Sequence, residues 1–220
     1  MDFAETEDQQ MIREMVREFA ETVAGPTCEK RDKEQIAPIK EFKKFAELGF
    51  AGMTIPEQKK KKKLDDISEA IVIEELSRVD PSLGVMVAVH VGLCSMTIAL
   101  SGNEAQKEKY LPKLASGEFL GAYSLSEAGS GTDAAAMVAK ATDDGDCYTL
   151  NGEKMWVTNG TTADLFVLFA KVTDHPDYGK KSHGGVTCFI IEKGFEGFEI
   201  GKKEDKLGIR SSDTCTLILN

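Results

Sequence analysis

The sequence predicts an α+β chain. An N-terminal all-α helical domain over residues 1–118 is followed by an antiparallel β-barrel-like domain over residues 119–220. Three observations predict it. Apolar residues recur at helical spacing through the first half. Hairpin signals and short β-branched or aromatic runs replace them in the second. No βαβ alternation is visible downstream of the change. A length of 220 residues with 41% hydrophobic composition gives enough material for one large or two small cores, and it excludes collagen-like, low-complexity and disordered classes.

The elements follow in order. Thr6 with Gln9 is a capping-box pattern. Behind it Met11, Ile12, Met15, Val16, Phe19, Ala20 and Val23 repeat at helical spacing, and Pro26 closes that helix. A second helix follows Pro38, with Ile39, Phe42, Phe45 and Ala46 on one face and Gly49 as its stop. A third runs over residues 65–79 with Ile67, Ala70, Ile71 and Leu76 facing inward. The fourth is the uncharged stretch 81–103. Its His90, Ser95, Thr97 and glycines mark a buried helix rather than a membrane span. A fifth starts at Asn103, with Gln106 in the capping-box position, and ends near Gly117. Strands are expected at 148–150, 154–158, 165–171, 186–192 and 214–219, with turns at Asp143-Asp144-Gly145-Asp146 and Asn151-Gly152. The five lysines 59–63 read as a solvated loop, since like charges cannot be buried together; a patch for an anionic ligand is the alternative. The last strand meets Asn220 without a cap, so a longer chain is expected.

With 27 basic against 37 acidic residues the formal net charge is −10, which disfavours non-specific nucleic-acid binding. Cys28, Cys94, Cys147, Cys188 and Cys215 form no CxxC pair, so they read as small core residues in a reducing compartment, with no metal site. The acidic opening Met1-Asp2-Phe3-Ala4-Glu5 is unlike a signal peptide. His90, in an apolar helix, reads as a satisfied core histidine. Glu74 and Glu75 read as solvated or capping groups, and no carboxylate stands out as a general base.

Two segments offer chemistry. The run Tyr123-Ser124-Leu125-Ser126-Glu127-Ala128-Gly129-Ser130-Gly131-Thr132-Asp133 is rich in small and hydroxyl residues. Small residues let a ligand approach the backbone, and successive amides form an anion cradle; a plain β–β loop favours the same composition. Gly129, Gly131 and Ala134 match G-x-G-x-x-A, but the next turn signal leaves no room for the crossover helix that a dinucleotide site needs. The second segment is Lys154-Met155-Trp156-Val157-Thr158-Asn159-Gly160, with the only tryptophan. A lone Trp on a strand packs in the core or presents a face to a planar cofactor. In a strand Trp156 and Thr158 point the same way, pairing a stacking group with a hydroxyl.

Taken together, these motifs resemble the acyl-CoA dehydrogenase family over essentially the whole chain. Ser126, Glu127, Gly131, Thr132 and Asp133 resemble its Ser-Glu-x-x-x-Gly-Thr-Asp signature, and residues 151–160 its second. Leu207-Gly208-Ile209-Arg210-Ser211-Ser212-Asp213-Thr214 is similar to the segment that ends its β domain. Gly49-Phe50, Ile55-Pro56-Glu57 and Glu74-Glu75-Leu76-Ser77 resemble its helical domain.

The resemblance implies FAD and the oxidation of a fatty acyl-CoA, of short-chain type, to the trans-2-enoyl-CoA. A glutamate takes the α-proton and a hydride passes to the flavin. Electrons go on to electron-transferring flavoprotein, and the full enzyme is a homotetramer. By the same resemblance Tyr123, Leu125, Ser126, Gly131, Thr132, Trp156, Val157 and Thr158 meet the cofactor. Thr132, Ser182 or His183, and Val89, Leu93 and Met96 meet the acyl-CoA. The family's C-terminal helical bundle is expected to be absent from these residues, and its base glutamate to lie beyond Asn220. Where relatives carry a glycine-rich turn, this chain has lysines 59–63. The location implied is the cytoplasm of a bacterium or the matrix of a mitochondrion. The competing reading is a remodelled relative that binds no flavin and serves as an interaction module.

Overall fold

Helices start here where a side chain can satisfy the first orphan amides. In this computed structural model, which describes residues 4–62 and 64–220, Thr6 and Gln9 exchange bonds of 3.0 and 3.3 Å at the head of α1 (Glu7–Phe19). Asn103 and Gln106 do the same at 2.9 Å for α8 (Glu104–Ala115). Asp65 caps α5 (Asp66–Val79) through Ser68, and Asp80 caps α6 (Pro81–Ala88) through Ser82 and Leu83. The described residues form two compact units. One holds the residues up to Phe119 together with Asp205–Ser212; the other holds Leu120–Glu204 and Asp213–Asn220.

In the helical unit the first helix does not stop at Pro26. It widens into a π turn at Ala20–Ala24, where the Gly25 amide bonds the Ala20 carbonyl, and continues as α2 (Gly25–Glu34). Pro26 then sits in the first turn of α2, where its missing N–H is not required. Gln35, with φ 56°, ends the run. The second predicted helix is α3 (Ile39–Glu47), stopped at Gly49 with φ 80°. The inward face of α5 is Ser68, Ile71, Val72, Glu75 and Leu76. The expected Ile67 is 58% exposed, because the helical stripe through Ile71 and Leu76 passes Ser68 instead. Uncharged residues Pro81–Ser101 run as α6, a π turn at Val89–Ser95, and α7 (Met96–Ser101). This stretch is long and apolar enough to cross a membrane, and 56% of its most apolar window is buried inside the protein. His90 is fully buried, edge-on to Phe42 at 4.9 Å and 3.1 Å from the Leu114 carbonyl, and burial pushes its pKa down to about 4.

Over its described residues the lysine run is helical rather than a loop. Lys59 to Lys62 lie in a short helix, α4 (Pro56–Lys62), and Lys63 falls outside the described residues. Lysine is a good helix former, Pro56 suits the first position, and Lys59 is tied to Glu69 at 2.8 Å. Of the cysteines, Cys94 and Cys215 are core residues, Cys28 and Cys188 are partly buried, and Cys147 is exposed in the turn after β2 (Lys140–Asp143).

The second unit is a mixed sheet. The hydrogen-bonded path is β1 (Gly121–Ser124), β4 (Leu165–Val172), β2, β3 (Tyr148–Thr158), β7 (Thr214–Leu219) and β6 (Phe198–Lys203), and β5 (Val186–Glu192) pairs with β4. Four of the six pairings are antiparallel; β1–β4 and β2–β4 are parallel. Central β4 is almost continuously buried, with Phe166 edge-on to Phe198 at 4.8 Å. β6 is not among the expected strands; Glu199, Ile200, Lys202 and Lys203 are exposed in it, while Phe198 and Gly201 are partly buried. Asn151-Gly152 is not a turn. The strand runs straight through it, changing partner from β2 to β7. Gly152 has φ 146°, and a β-carbon there would lie 2.8 Å from that of Ala139, so a glycine is required by close approach rather than by chain reversal.

Glu75 organises the helical unit. It is 1% exposed, neither solvated nor a cap, and accepts from Arg13 at 2.5 Å, Arg17 at 2.9 and 3.0 Å, and Arg78 at 3.3 Å. Arg17 above all, with Arg13 and Arg78, holds its carboxyl down to about 2 from the usual 4.5, against the opposing effect of burial. A carboxyl lowered this far contributes about 3 kcal/mol of stability above pH 4.5, lost as pH falls towards 2. Glu75→Gln is expected to lower the urea midpoint most at neutral pH, and its gap from wild type to close between pH 4.5 and pH 2. Parallel urea titrations across that range check this.

Candidate functional site

Alternation along β3 would bury every second residue, but Lys154 and Val157 are both buried although three apart. A bulge accounts for it. Opposite β7, residues Lys154 and Val157 face Leu217 and Cys215, so β3 carries one extra residue. The bulge throws Trp156 outward at φ 57° with 62% of its surface exposed. A left-handed Trp costs about 1–3 kcal/mol and is retained only where its surroundings impose it. Thr158, half-buried, ends the same strand.

Lys154 imposes that geometry. Its ammonium is fully buried and donates to Glu127 Oε1 at 2.6 Å and to the Leu125 carbonyl at 3.0 Å. Burial lowers the Lys154 pKa, and the Glu127 carboxylate opposes that shift. Glu127 accepts in turn from the amides of Val138 at 2.6 Å and Ala139 at 3.1 Å. The loop is closed by paired backbone bonds between Glu127 and Ser130, 3.0 and 3.1 Å, and Ser130 Oγ donates to the Asp133 carbonyl at 3.0 Å. Met155 N–H donates to the Ser126 carbonyl at 2.9 Å, so the residue before Trp156 is stitched to the loop. Only a short 3₁₀ turn, Ala134–Ala136, follows the glycines, as the exclusion of a dinucleotide fingerprint requires.

On the other side of the bulge, Asp213 accepts from Thr161 N–H at 2.7 Å, Thr161 Oγ1 at 2.6 Å and Thr162 Oγ1 at 3.1 Å, and its carbonyl takes the Asn159 amide at 3.0 Å. The Asn159 side chain donates to the Gly121 carbonyl at 3.1 Å. Trp156 and Thr158 are thereby held between two buried carboxylates.

The structure therefore ties Leu125 and Ser126, through Lys154 and Met155, to the strand that carries Trp156 and Thr158. Tyr123 lies on β1, half-buried, its ring 5.3 Å from that of Phe169. Val157 is 1% exposed and packs in the β core, paired with Cys215 of β7, and its carbonyl accepts the Gly160 amide at 3.2 Å. Gly131 and Thr132 are exposed. Next to them Asp133 borders a cleft of about 560 Å³ that also contains Ser182 and four lysines, Lys140, Lys171, Lys180 and Lys181. His183 is exposed and is not among the residues lining that cleft. Val89, Leu93 and Met96 belong to the helical unit, on the side of their helix away from its buried rows; Leu93 is 42% exposed.

Sequence reasoning missed the Lys154–Glu127 pair, Asp213 and the four cleft lysines. A lysine inside the run Met-Trp-Val was the available signal for the first. The lysines are scattered from residue 140 to 181, and only the fold collects them.

Residues 6–118 match the family model of the acyl-CoA dehydrogenase N-terminal domain, and residues 122–220 that of its middle domain. A short-chain specific acyl-CoA dehydrogenase of Clostridium acetobutylicum is 44% identical over 99% of the chain and 56% of its own length. A chain in a solved structure of the electron transferring flavoprotein of Acidaminococcus fermentans is 45% identical, with TM-score 0.91 over 100% of this chain and 57% of that one. An acyl-CoA dehydrogenase complexed with FAD from Bacillus anthracis is 35% identical, with TM-score 0.86 over 98% of this chain and 36% of that one. The chain spans about half the length of the curated relatives it matches.

Removing one partner of a buried pair leaves the other charge unpaired, at a cost of about 3–5 kcal/mol. Lys154→Met is expected to lower stability by that order and to expose the 125–133 loop to proteolysis. Lys154→Met with Glu127→Gln, which removes the unpaired charge and keeps an oxygen for the Val138 and Ala139 amides, is expected to recover part of the loss. Chemical denaturation of wild type and the two variants checks both.

Proposed function

Since the chain belongs to the acyl-CoA dehydrogenase family, we propose that it carries the FAD and acyl-CoA contacts of an enzyme that oxidises a short-chain acyl-CoA to the trans-2-enoyl-CoA and passes electrons to electron-transferring flavoprotein. The observation that carries this reading is Trp156. Its exposure and left-handed backbone are costly in a protein that only folds, and they suit one that covers an aromatic ring with a planar ligand. The loop residues beside it match the cofactor in chemistry: Ser126 and Thr158 supply hydroxyls and Leu125 an amide.

FAD, when bound, supplies the two-electron acceptor. The roles of the protein's own groups follow. Trp156 covers one face of the ring and excludes water. The Leu125 amide and Ser126 hydroxyl donate to its pyrimidine edge, where negative charge accumulates on reduction. Thr158 donates at the N5 region, Val157 contributes backbone, and Tyr123 walls the site. Gly131 and Thr132 hold the pyrophosphate. Thr132 and Ser182 border the acyl-CoA, whose phosphates suit the cleft of Lys140, Lys171, Lys180 and Lys181; His183 stands at the adjoining loop. Val89, Leu93 and Met96 form the acyl wall. We assign the α-proton to no carboxylate of this chain that is held in a buried ion pair: Glu75, Glu127 and Asp80 are engaged by Arg17, Lys154 and Arg31.

The single tryptophan makes the test direct. FAD is expected to quench Trp156 fluorescence saturably and to remain bound, with a flavin absorbance spectrum, after gel filtration. Trp156→Ala is expected to weaken FAD about tenfold, the ~1.4 kcal/mol of one stacking contact. Absence of quenching at any FAD concentration would favour the flavin-free module.

A further inference from the structure

The helix Pro81–Ser101 buries two rows of side chains at a strict spacing of four. Leu83, Val87, Val91, Ser95 and Ala99 form one row, and Met86, His90, Cys94 and Ile98 the other. An uninterrupted α-helix turns about 100° per residue, so a spacing of four drifts about 40° per step and about 160° from Leu83 to Ala99. The π turn at Val89–Ser95 admits one extra residue and removes about 100° of that drift. The same turn therefore sets where Met96, the first residue after it, stands relative to Val89.

That turn is pinned from outside the helix. The Val91 carbonyl accepts the Met96 amide five residues on. It also accepts the hydroxyl of Thr54, which is 3% exposed and donates across 2.6 Å. His90, against the Leu114 carbonyl, anchors the start of the turn, and Ser95 Oγ closes it on the His90 carbonyl at 2.8 Å. Gly92, in the middle, faces open space; a β-carbon there would meet nothing within 4 Å. A carbonyl that has given up its α-helical partner needs a second donor to keep a buried wide turn, and Thr54 supplies it.

We propose that Thr54 is a positioning residue for acyl-chain selection: its hydroxyl holds the π turn open and so fixes the angular setting of Leu93 and Met96 against Val89. This rests on the reading of those three residues as the acyl wall. Thr54 touches no acyl group itself; it acts through Val91.

The test compares wild type, Thr54→Val, which keeps the shape and removes the donor, and Thr54→Ser, which keeps the donor. Two readouts are taken on the full chain loaded with FAD: hydrogen exchange of the amides at residues 91–96, and calorimetric Kd values for butyryl-CoA, octanoyl-CoA and free CoA. Thr54→Val is expected to speed exchange in that segment and to change the butyryl-to-octanoyl ratio about tenfold, with free CoA binding unchanged. Thr54→Ser is expected to match wild type in both. Unchanged exchange, or faster exchange with an unchanged ratio, overturns the positioning role. Wild type binding all three CoA species alike overturns the acyl-wall reading and the selection role with it, while exchange still reports whether Thr54 holds the turn. If Thr54→Val does not fold, Thr54→Ala, which leaves room for water at the carbonyl, replaces it under the same criteria.

Discussion

A lysine ammonium buried in the interior is the constraint on which the β unit depends. Lys154 can remain charged in the interior only because Glu127 and the Leu125 carbonyl replace its hydration, and Glu127 only because two further amides complete its own shell. Those bonds fix the path of the 125–139 loop to within the tolerance of hydrogen bonding. With Lys154 directed inward and Val157 needed in the core, the strand must absorb an extra residue, and Trp156 is what it displaces. The exposed indole thus follows from an ion pair two residues away, and ligand contact and structural support are separate groups on one short segment.

The fold was legible wherever a short-range rule decides structure. Both capping boxes, the glycine stops and the central strand are local matters, and the residues concerned sit as spacing predicts. The misreadings share a cause. Pro26 and Asn151-Gly152 are strong local punctuation, but their neighbours supply tertiary compensation: a widened turn in one case, a change of strand partner in the other. Lysines 59–62 suggested a loop by repulsion, but helix propensity and the ion pairs of Lys59 with Asp66 and Glu69 outweigh charge crowding at a surface. Ile67 looked like core because it is apolar, whereas the stripe is set by its more regular neighbours.

The site was legible in part. Its motifs lie in two continuous segments, so Ser126 and Trp156 could be singled out before their proximity was known. The bulge could not, because it is a disagreement of one residue between β3 and a strand about sixty positions later, detectable only once both are paired. The cleft lysines were invisible for the same reason.

The order in which this chain is made bears on how its units close. Asp32 in α2 receives the amide of Arg210, 178 residues later, and Asp205–Ser212 folds with the helices. Strand β3 takes its second neighbour only from β7, with Gly152 opposite Leu219. During vectorial synthesis neither unit can complete its native contacts until the final residues of this sequence have emerged, although the helices leave the ribosome first. The half-formed β unit meanwhile presents the unpaired edge of β3, which carries Met155, Val157 and an exposed tryptophan, and such an edge is the kind of surface that nascent-chain chaperones shield.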